Sequence, residues 1–509
     1  MRLSISEINE IIYEIEQRYP VEKWMIQGLH IWFFFRIQLC IALFYHGREA
    51  DGIFKGKNKL FSQLKIGMKK IRDIFAYCYA RIADIRNNAD MNEPYNFIFL
   101  SYALHRTLLM QKWYDRFCEP YMDILSSFKK KSLLIEMSRS GEYRIPRYGK
   151  SRFIQPYLDC IMIRNKLFRK KNPDSESLEG FSKLTDYLKS KYNEVNIPTI
   201  ESLRYTVNTV LELKEYFGRI LQKTKPSIVF IAEYYSIFGS AMILACRECG
   251  IKSVDIQHGM GSVEHVAYGR WEKLPDGGYE MFPTVFWCWS DYDAEIIRRW
   301  NGKVSNLCQP FTGGNLWENL WRGEESEITR HYDKQIKKLM TYRDKEPFIL
   351  FTPSIRSDIT DWILYAIRMS QDRYKWWIRL HPCMDNEREK IRRLFEKNGI
   401  TDFEIDQATD LPLQALLRHA DVNITAMSST VVEAERFGVP SVITDSAGLS
   451  VFTKQIASGC AVTAFNAEDL LKAIKQQAEK KRTLKNEDKS PSPDIDSVSI
   501  VRKFLYLYG

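Results

Sequence analysis

Residues 422–434 read VNITAMSSTVVEA. The first four of them are predicted to form a short strand. Two serines and a threonine follow, Ser428 to Thr430, and lead into sequence with helical character. A strand that ends in a polar loop and continues into a helix is the repeating unit of a parallel sheet with crossover helices. These residues therefore predict an α/β fold.

The same pattern recurs along the chain in two consecutive series of short apolar runs that alternate with helical sequence. The first series comprises 96–100, 133–136, 227–232, 252–257 and 284–289. The second series comprises 348–351, 376–380, 422–425, 441–444 and 460–463. Two successive series of this kind predict two Rossmann-like domains, preceded by a helical extension at the N-terminus.

The 509 residues are too many for one ordinary hydrophobic core, so we expect several domains. Residues 1–92 are predicted to be a helical N-terminal region, and 93–325 a Rossmann-like domain that binds the acceptor substrate. Residues 326–485 are predicted to be a second Rossmann-like domain that binds a nucleotide donor. Residues 486–509 form a polar linker and a last apolar element that could return to the first half.

The charge balance is mildly basic, with 74 Lys and Arg against 64 Asp and Glu. Within 60–82, apolar residues recur at the spacing of one helix face and lysines decorate the rest. Such a helix is typical of a surface that lies on anionic lipid, or of a solvated face packed on its own domain. Both interpretations stay open, so an anionic membrane surface is one expected partner.

We expect no secretory signal at the N-terminus, because acidic residues interrupt its apolar positions. The most apolar stretch, 28–45, contains His30, Arg36 and Gln38, and we expect it to be a buried or partly membrane-contacting helix that does not span. Ten scattered cysteines form no disulfide framework. These features predict a cytoplasmic protein, peripheral at most on the inner face of the membrane.

Three segments of the second series place polar residues directly after a predicted strand, at 352–356, 379–382 and 425–430. Because the carboxyl ends of neighbouring parallel strands meet at one crevice, we expect these segments to converge on a ligand. The hydroxyls and backbone N–H groups at 428–430 suit a phosphate, which Arg356 and Arg379 could neutralise. Taken singly, each segment is also explained by helix capping or by an ordinary loop.

The residues RLHP at 379–382, SST at 428–430 and EAERFGVPSVIT at 433–444 resemble the donor-nucleotide half of GT-B glycosyltransferases. The resemblance is to bacterial capsule and surface-polysaccharide transferases, including CDP-glycerol polymerases and sialyl- and Kdo-transferases. It implies that His381 and Ser428 to Thr430 contact the phosphates of a CMP- or CDP-linked donor, and that Glu433 binds ribose hydroxyls. The expected donor-binding residues are Thr352, Ser354, Arg356, Arg379, His381, Ser428, Ser429, Thr430 and Glu433.

A second part of this resemblance lies in the first half, where residues 255–259 read DIQHG. A strand that ends in Gln-His-Gly is similar to a segment at the interdomain cleft of the same transferases. This implies that His258 stabilises the leaving phosphate or acts as a base, although packing alone is an alternative. Glu233 is the candidate general base, because inverting transfer requires a group that deprotonates the acceptor hydroxyl, and an ordinary exposed loop carboxylate is the alternative. The expected acceptor-side residues are Ser101, His105 and His265.

One short motif formally suggests a metal. Asp291, Tyr292 and Asp293 match an Asp-x-Asp pattern, but Ser290 and Asp293 form a capping box at the start of a predicted helix. We therefore expect no metal and no cofactor. The chain also lacks a Walker P-loop and an early GxGxxG, which weighs against ATPases and dehydrogenases.

The sequence as a whole predicts a metal-independent GT-B glycosyltransferase of cell-envelope biosynthesis. It would move a sugar, or a related unit, from a nucleotide-activated donor to a surface-polysaccharide or lipid-linked glycan acceptor. One alternative is a nucleotide-sugar 2-epimerase of the same fold, against which the helical N-terminus and the QHG segment weigh. The other is a non-enzymatic protein that binds a membrane or nucleic acid. No aromatic-rich RNA-binding motif is evident, so nucleic acid is not an expected partner.

Overall fold

A computed structural model gives the positions of most of the chain. The described residues are 3–45, 93–138, 144–167, 178–192, 195–259, 261, 263–302, 308–322, 327–340, 346–486 and 496–509. The basic helix predicted at 60–82 lies outside them, so its contact with lipid stays a prediction.

The strands of the described residues are numbered in chain order. They are β1 (Met25–Ile26), β2 (Leu29–His30), β3 (Phe97–Tyr102), β4 (Arg106–Leu109), β5 (Lys112–Asp115), β6 (Ser132–Met137), β7 (Ser151–Phe153), β8 (Ile228–Ala232), β9 (Lys252–Ile256), β10 (Val285–Cys288), β11 (Gln309–Thr312), β12 (Phe348–Phe351), β13 (Lys375–Ile378), β14 (Val422–Thr425), β15 (Ser441–Ile443) and β16 (Ala461–Thr463).

Helices precede and separate most of these strands. The α-helices are Ile5–Arg18, Trp32–Tyr45, Glu119–Ser127, Gln155–Leu167, Phe181–Lys191, Ile200–Thr224, Ile237–Glu248, Asp291–Asn301, Leu316–Arg322, Glu327–Met340, Asp361–Arg368, Arg388–Lys397, Asp406–Asp410, Leu413–Leu417, Thr430–Arg436, Gly448–Val451, Thr453–Ala457, Ala467–Asn486 and Ser497–Tyr508. Short 3-10 turns lie at Val21–Lys23, Ala103–His105, Arg356–Asp358 and Pro382–Glu387.

The chain divides into two compact units. Unit 1 comprises Met1–Arg106, Asp115–Gly314 and Val498–Gly509, and unit 2 comprises Thr107–Tyr114 and Asn315–Ser497. The division differs from the expected domains in that it falls after Gly314 rather than at 325.

Two short segments pack in a unit whose other residues are distant from them in the chain. The β4–β5 hairpin packs in unit 2, where Leu109 and Tyr114 join a core that contains Trp317 and Trp321. The last helix packs in unit 1, where the Phe504 ring lies 5.1 Å from the Trp287 ring. Both assignments follow from buried aromatic side chains, whose exposure to water would cost free energy.

The sheet of unit 1 has seven parallel strands in the order β11-β10-β9-β8-β3-β6-β7. Read from β7 and counted in chain order, this is the Rossmann order 3-2-1-4-5-6 with a seventh strand at one edge. The direction of winding therefore reverses between β3 and β8. In such sheets a crevice opens beyond the carboxyl ends of the strands at the reversal.

The sheet of unit 2 has five parallel strands in the order β13-β12-β14-β15-β16. Counted in chain order this is 2-1-3-4-5, and the winding reverses between β12 and β14. The prediction of two Rossmann-like α/β domains is confirmed. The sequence reading missed β11, whose residues QPFT form an edge strand that contains a proline, the position at which a sheet tolerates one.

The N-terminal helices are part of the core of unit 1. Trp24, Trp32, Phe33 and Phe35 are fully buried there. Most of the described apolar residues of 28–45 are therefore covered by protein, with Ile41 exposed, which agrees with the buried helix among the two expectations. Across the described residues, no helix combines the length and the hydrophobicity that crossing a bilayer requires.

Candidate functional site

In unit 1, five polar rings lie together beyond the carboxyl ends of β8 and β9. We call His105, Tyr235, His258, His265 and Tyr268 the ring cluster. The Tyr235 hydroxyl lies 3.2 Å from Nε2 of His258, and the His105 and His258 rings are 6.2 Å apart. The His265 ring lies 5.7 Å from the Tyr235 ring and 4.8 Å from the Tyr268 ring. The fold thus brings together all three histidines that the sequence singled out in the first half.

Glu233 lies at the strand end between β8 and the helix Ile237–Glu248, on strained backbone. Its φ is +70°, in the left-handed region, which costs a non-glycine residue about 1–3 kcal/mol. Its carbonyl oxygen accepts a 2.9 Å hydrogen bond from the Ser236 hydroxyl, which in turn caps the helix by accepting from Gly239 N–H. A Cβ at Gly239 would approach the Glu233 carbonyl oxygen to 2.3 Å, so this turn requires the glycine. Strain of this kind is typical of functional positions.

A buried carboxylate, that of Asp255, binds both the backbone next to Glu233 and one ring of the ring cluster. Asp255 accepts hydrogen bonds from the backbone N–H of Tyr234, at 3.0 Å, and from the Tyr268 hydroxyl, at 2.8 Å. Burial, with a smaller contribution from the nearby Glu233 carboxylate, raises the pKa of Asp255 to about 7 against the effect of the two hydrogen bonds. Asp255 was quoted in the DIQHG motif without a role, because a strand position does not reveal which distant groups it binds.

His265 is held in its neutral form. Its Nδ1 accepts the backbone N–H of Ala267 at 3.2 Å, so the single proton of the neutral ring lies on Nε2. Burial, the neighbouring His258 and the positive charge of Arg36 together lower the pKa of His265 to about 3. At neutral pH the ring is therefore an uncharged hydrogen-bond donor through Nε2. Tyr235 and Tyr268 were not among the residues predicted from the sequence.

Ser101 and His105 form a buried pair at the end of β3. The Ser101 hydroxyl lies 2.9 Å from Nδ1 of His105, and both side chains are buried. The Phe117 ring packs edge-on against the His105 ring, with centroids 4.8 Å apart. Ser101 therefore orients His105 within the ring cluster.

In unit 2, the three predicted segments follow β12, β13 and β14, which are neighbours in the sheet. Thr352 and Thr430 join two of the segments, since their hydroxyl oxygens lie 3.0 Å apart and both residues are buried. Buried hydroxyls that satisfy one another hold loops in place. These two residues therefore shape the strand ends, and their contact with a nucleotide stays a prediction.

His381 begins the 3-10 turn Pro382–Glu387 and is exposed. Its Nδ1 accepts the backbone N–H of Cys383 at 3.3 Å, which places the proton of the neutral ring on Nε2. Its exposed ring therefore carries a donor N–H that an anion can accept.

Two serines precede the helix Thr430–Arg436. Ser428 accepts the backbone N–H of Thr430 at 3.3 Å. Ser429 lies at the N-cap, but its side chain makes no capping hydrogen bond. Capping thus accounts for the Ser428 hydroxyl and not for the Ser429 hydroxyl. Ser429 is half-buried, and its O–H group is a hydrogen-bond donor that capping does not use.

Arg379 is engaged inside unit 2. Its Nη1 donates to the carbonyl oxygens of Ala408, at 2.9 Å, and of Leu411. These carbonyls belong to the end of the helix Asp406–Asp410, where a positive charge is favourable. The expected contact of Arg379 with a phosphate stays a prediction that competes with this role.

The other expected donor residues are placed as follows. Arg356 begins the turn Arg356–Asp358, and its side chain lies outside the described part of the chain. The Ser354 backbone N–H donates to the Asp358 carboxylate at 2.7 Å, which orders this loop. The Glu433 carboxylate accepts a 2.7 Å hydrogen bond from the Gln414 side chain.

Glu318 is a functional-site neighbour that the sequence did not indicate. It is fully buried beside helix Thr430–Arg436, where it pairs with Arg436 and accepts a 2.8 Å hydrogen bond from Asn315. Burial raises the pKa of Glu318 to about 7, against the effect of Arg436 and together with the nearby Glu433 carboxylate. Glu318 thereby anchors the helix that follows Ser428 and Ser429.

The Asp-x-Asp pattern is a helix cap in the structure. The Ser290 hydroxyl accepts the Asp293 N–H at 3.2 Å and donates to the Asp293 carboxylate at 2.6 Å. Asp291 accepts a hydrogen bond from the Thr312 hydroxyl at 2.7 Å. In the described ranges, no group of three or more His, Cys, Asp or Glu side chains is arranged to hold a metal ion.

Comparison with known proteins gives likenesses in structure only. No protein-family model matches the chain, and no curated protein matches it in sequence. A UDP-GlcNAc 2-epimerase from Neisseria meningitidis bound to UDP-GlcNAc is 11% identical with a TM-score of 0.48, over 81% of this chain and 100% of that one. The UDP-GlcNAc 2-epimerase from Methanocaldococcus jannaschii is 13% identical with a TM-score of 0.46, over 81% and 99%.

A third solved structure is that of the wall teichoic acid polymerase TagF. It is 11% identical with a TM-score of 0.44, over 89% of this chain and 98% of that one. At such identities and TM-scores, these likenesses carry no argument about activity. The functional reasoning therefore rests on the residues of this chain.

Proposed function

We propose that the protein is a GT-B glycosyltransferase that moves a sugar, or a related unit, from a CMP- or CDP-linked donor to a surface-polysaccharide or lipid-linked glycan acceptor. One observation carries the donor site. The winding of unit 2 reverses between β12 and β14, and the loops that leave β13 and β14 contain the segments that resemble the family's nucleotide-binding motifs.

The described donors at these strand ends suit phosphate oxygens. His381 offers Nε2–H, and the Ser429 hydroxyl is not used as a cap. Hydrogen bonds to a charged group are worth about 1.5–3 kcal/mol each, so two or three of them contribute roughly 3–9 kcal/mol, which spans affinities from weaker than millimolar to about micromolar. Arg356 would add positive charge on the same loop as Ser354.

The strand ends of unit 1 supply the groups that transfer requires. Glu233 is proposed as the general base that takes the proton of the acceptor hydroxyl. His258, with Tyr235 beside its Nε2, is proposed to stabilise the leaving phosphate. Glu233 is assigned the base because it is a carboxylate on strained backbone at the winding reversal of its sheet. Displacement of this kind needs no metal.

A lipid-linked acceptor would also explain the basic amphipathic pattern at 60–82, which would keep the enzyme on the anionic inner face of a membrane. That placement is part of the proposal and rests on sequence alone.

The test begins with nucleotide binding to purified protein, measured as thermal stabilisation by CMP, CDP, UDP, GDP and ADP. A ligand at about a hundred times its dissociation constant adds roughly 2.7 kcal/mol to the free energy of unfolding. We expect CMP or CDP to stabilise selectively. The matched control for the variant His381→Ala is His331→Ala. It removes an exposed histidine from the helix Glu327–Met340 and should leave the thermal shift intact.

The outcomes separate the proposal from its alternatives. Selective stabilisation by UDP or GDP would retain a nucleotide site and contradict the cytidine donor. Isomerisation of UDP-GlcNAc without any acceptor would favour the epimerase. Salt-sensitive binding of nucleic acid with no nucleotide affinity would favour the binding protein.

A further inference from the structure

The loop 263–280 carries His265 and Tyr268 to the ring cluster, yet it contains no regular strand or helix. A loop of this length keeps two rings in place only if other parts of the protein hold it. Some of its contacts are with residues of unit 1 that lie outside 3–45. The Tyr234 hydroxyl donates to the Ala267 carbonyl oxygen, and the Trp300 indole donates to that of Tyr268 at 3.0 Å.

The first N-terminal helix, Ile5–Arg18, holds the beginning of this loop. Asn9 is buried, and its side-chain amide donates to the backbone carbonyl of Glu264 at 2.8 Å and to the Glu264 carboxylate at 2.7 Å. The two residues are 255 positions apart in the chain. Glu264 immediately precedes His265, so this contact fixes the backbone from which the His265 ring projects.

A buried ion pair between the two N-terminal helices holds the middle of the loop. Arg36 and Glu16 are both fully buried and 2.7 Å apart. The Arg36 guanidinium also donates to the backbone carbonyl of Arg270 and lies 3.9 Å from the Trp271 ring centroid. The second oxygen of Glu16 accepts the backbone N–H of Glu272 at 3.0 Å.

These additional contacts explain why the buried pair is tolerated. Two charges removed from water are costly unless their remaining hydrogen-bonding groups are satisfied. Here the backbone of the loop provides part of that satisfaction. The ion pair and the loop therefore stabilise each other, and the loop has one arrangement that fits the pair.

Two further contacts hold the end of the loop. The Lys273 ammonium donates to the Tyr19 carbonyl oxygen at 3.1 Å, and Nδ1 of His30 lies 2.5 Å from the Glu280 carboxylate. Contacts with residues 3–45 are thus distributed along the loop from Glu264 to Glu280.

We infer that residues 3–45 are the positioning element of the ring cluster, and that Asn9, Glu16 and Arg36 are positioning residues for the proposed transfer reaction. The inference rests on the proposed function for its catalytic meaning. The residues touch no substrate, and they act by fixing the loop that carries His265 and Tyr268.

The experiment compares two variants with a matched control in the full-length protein. Asn9→Ala removes both hydrogen bonds to Glu264. Arg36→Lys keeps the positive charge. An ammonium group lacks the planar guanidinium geometry that contacts both Glu16 and the Arg270 carbonyl oxygen. Arg18→Ala is the control, because Arg18 lies on the same helix and makes only an exposed ion pair with Glu14.

Two readouts are measured on each protein. Hydrogen exchange of the amides in 263–280 reports the loop itself, and we expect about tenfold faster exchange in Asn9→Ala, in line with two lost hydrogen bonds. Steady-state kinetics report its consequence, and we expect kcat to fall about tenfold or more while KM for the donor stays unchanged. The control should match wild type in both.

The outcomes decide the inference separately from the proposed function. Faster exchange confined to the loop, with lower kcat and unchanged donor KM, supports it. Unchanged exchange in both variants overturns it, and so does equally faster exchange in β3 and β8, which would indicate general destabilisation. Faster loop exchange with unchanged kcat in an active enzyme also overturns the positioning role. If wild type transfers to no acceptor, the proposed function fails, while the exchange data alone still support or overturn the holding of the loop.

Discussion

Both units place polar residues at or near the carboxyl ends of sheet strands, on or next to the strands where the winding reverses, but they use those residues differently. In unit 1, Asp255, Tyr268 and His265 bind protein groups and are enclosed by packed rings. In unit 2, His381 is exposed, and the Ser429 side chain does not cap its helix.

The difference suits two kinds of chemistry. Groups that are already oriented by protein partners need little reorganisation when charge develops, which is the arrangement that favours catalysis. Exposed donors are completed by a ligand that brings its own acceptors, as a phosphate does. We therefore expect substitutions in unit 1 to change turnover and those in unit 2 to change nucleotide affinity.

The largest expected effect is that of His258→Gln. Loss of the ring beside Tyr235 should lower the rate of transfer by about 10²- to 10⁴-fold, the usual contribution of a group that handles a proton or a developing charge. Nucleotide affinity, measured by calorimetry, should fall far less than the rate, because a group that stabilises developing charge interacts most strongly in the transition state. A rate within a few fold of wild type would break the contrast between the units.

His381→Ala tests the same contrast in unit 2, where the expected change is in nucleotide affinity. Loss of one hydrogen bond to a charged phosphate should weaken nucleotide binding by about 10- to 100-fold, corresponding to about 1.5–3 kcal/mol. Calorimetric titration with the nucleotide identified by thermal shift measures this directly. Unchanged affinity in a folded variant would remove His381 from the donor site.

Asp255→Asn should change how stability depends on pH. The folded-state pKa of Asp255 is raised from 3.8 to about 7, so between those values the folded protein holds a proton that the unfolded chain has lost. The stability from this proton is fully present below about pH 4 and is lost as the pH rises through about 7. The variant has no such loss. Its free energy of unfolding relative to wild type should increase by about 1.4 kcal/mol per pH unit in that window.

Urea unfolding of both proteins at pH 5 and at pH 7 measures this difference. A difference that is the same at the two pH values would mean that Asp255 keeps an ordinary pKa in the folded protein.

The smallest effect expected is on stability, from Glu233→Gly. Glycine adopts the φ of +70° without strain, so the variant should gain about 1 kcal/mol while losing transfer activity. Lys225→Gly is the matched control, since Lys225 is also left-handed, with φ +46°, and lies in the same unit at a helix end. It should gain stability by a similar amount and keep its activity. Loss of stability in Glu233→Gly alone would mean that contacts of the side chain outweigh the backbone strain.

Much of the fold could be predicted because it is local. The run FILF at 348–351 is a strand in the structure with the same bounds, and VNIT at 422–425 likewise. A strand end followed by a polar loop places a residue at the edge of a parallel sheet wherever that sheet lies, which is why Ser101, Glu233 and His258 could be singled out. The hairpin at 106–115 was not predicted, because its packing in unit 2 depends on distant aromatic residues.

The sequence by itself determined the alternation of strands and helices, the two Rossmann-like series and the polar residues at their strand ends, because apolar runs and helix starts are properties of neighbouring residues. Only the tertiary structure decided the order of the strands and therefore which strand ends adjoin. It alone paired Asn9 with Glu264 and Asp255 with Tyr268, since such contacts depend on how distant segments fold together, and it alone determined that Arg379 binds backbone carbonyls.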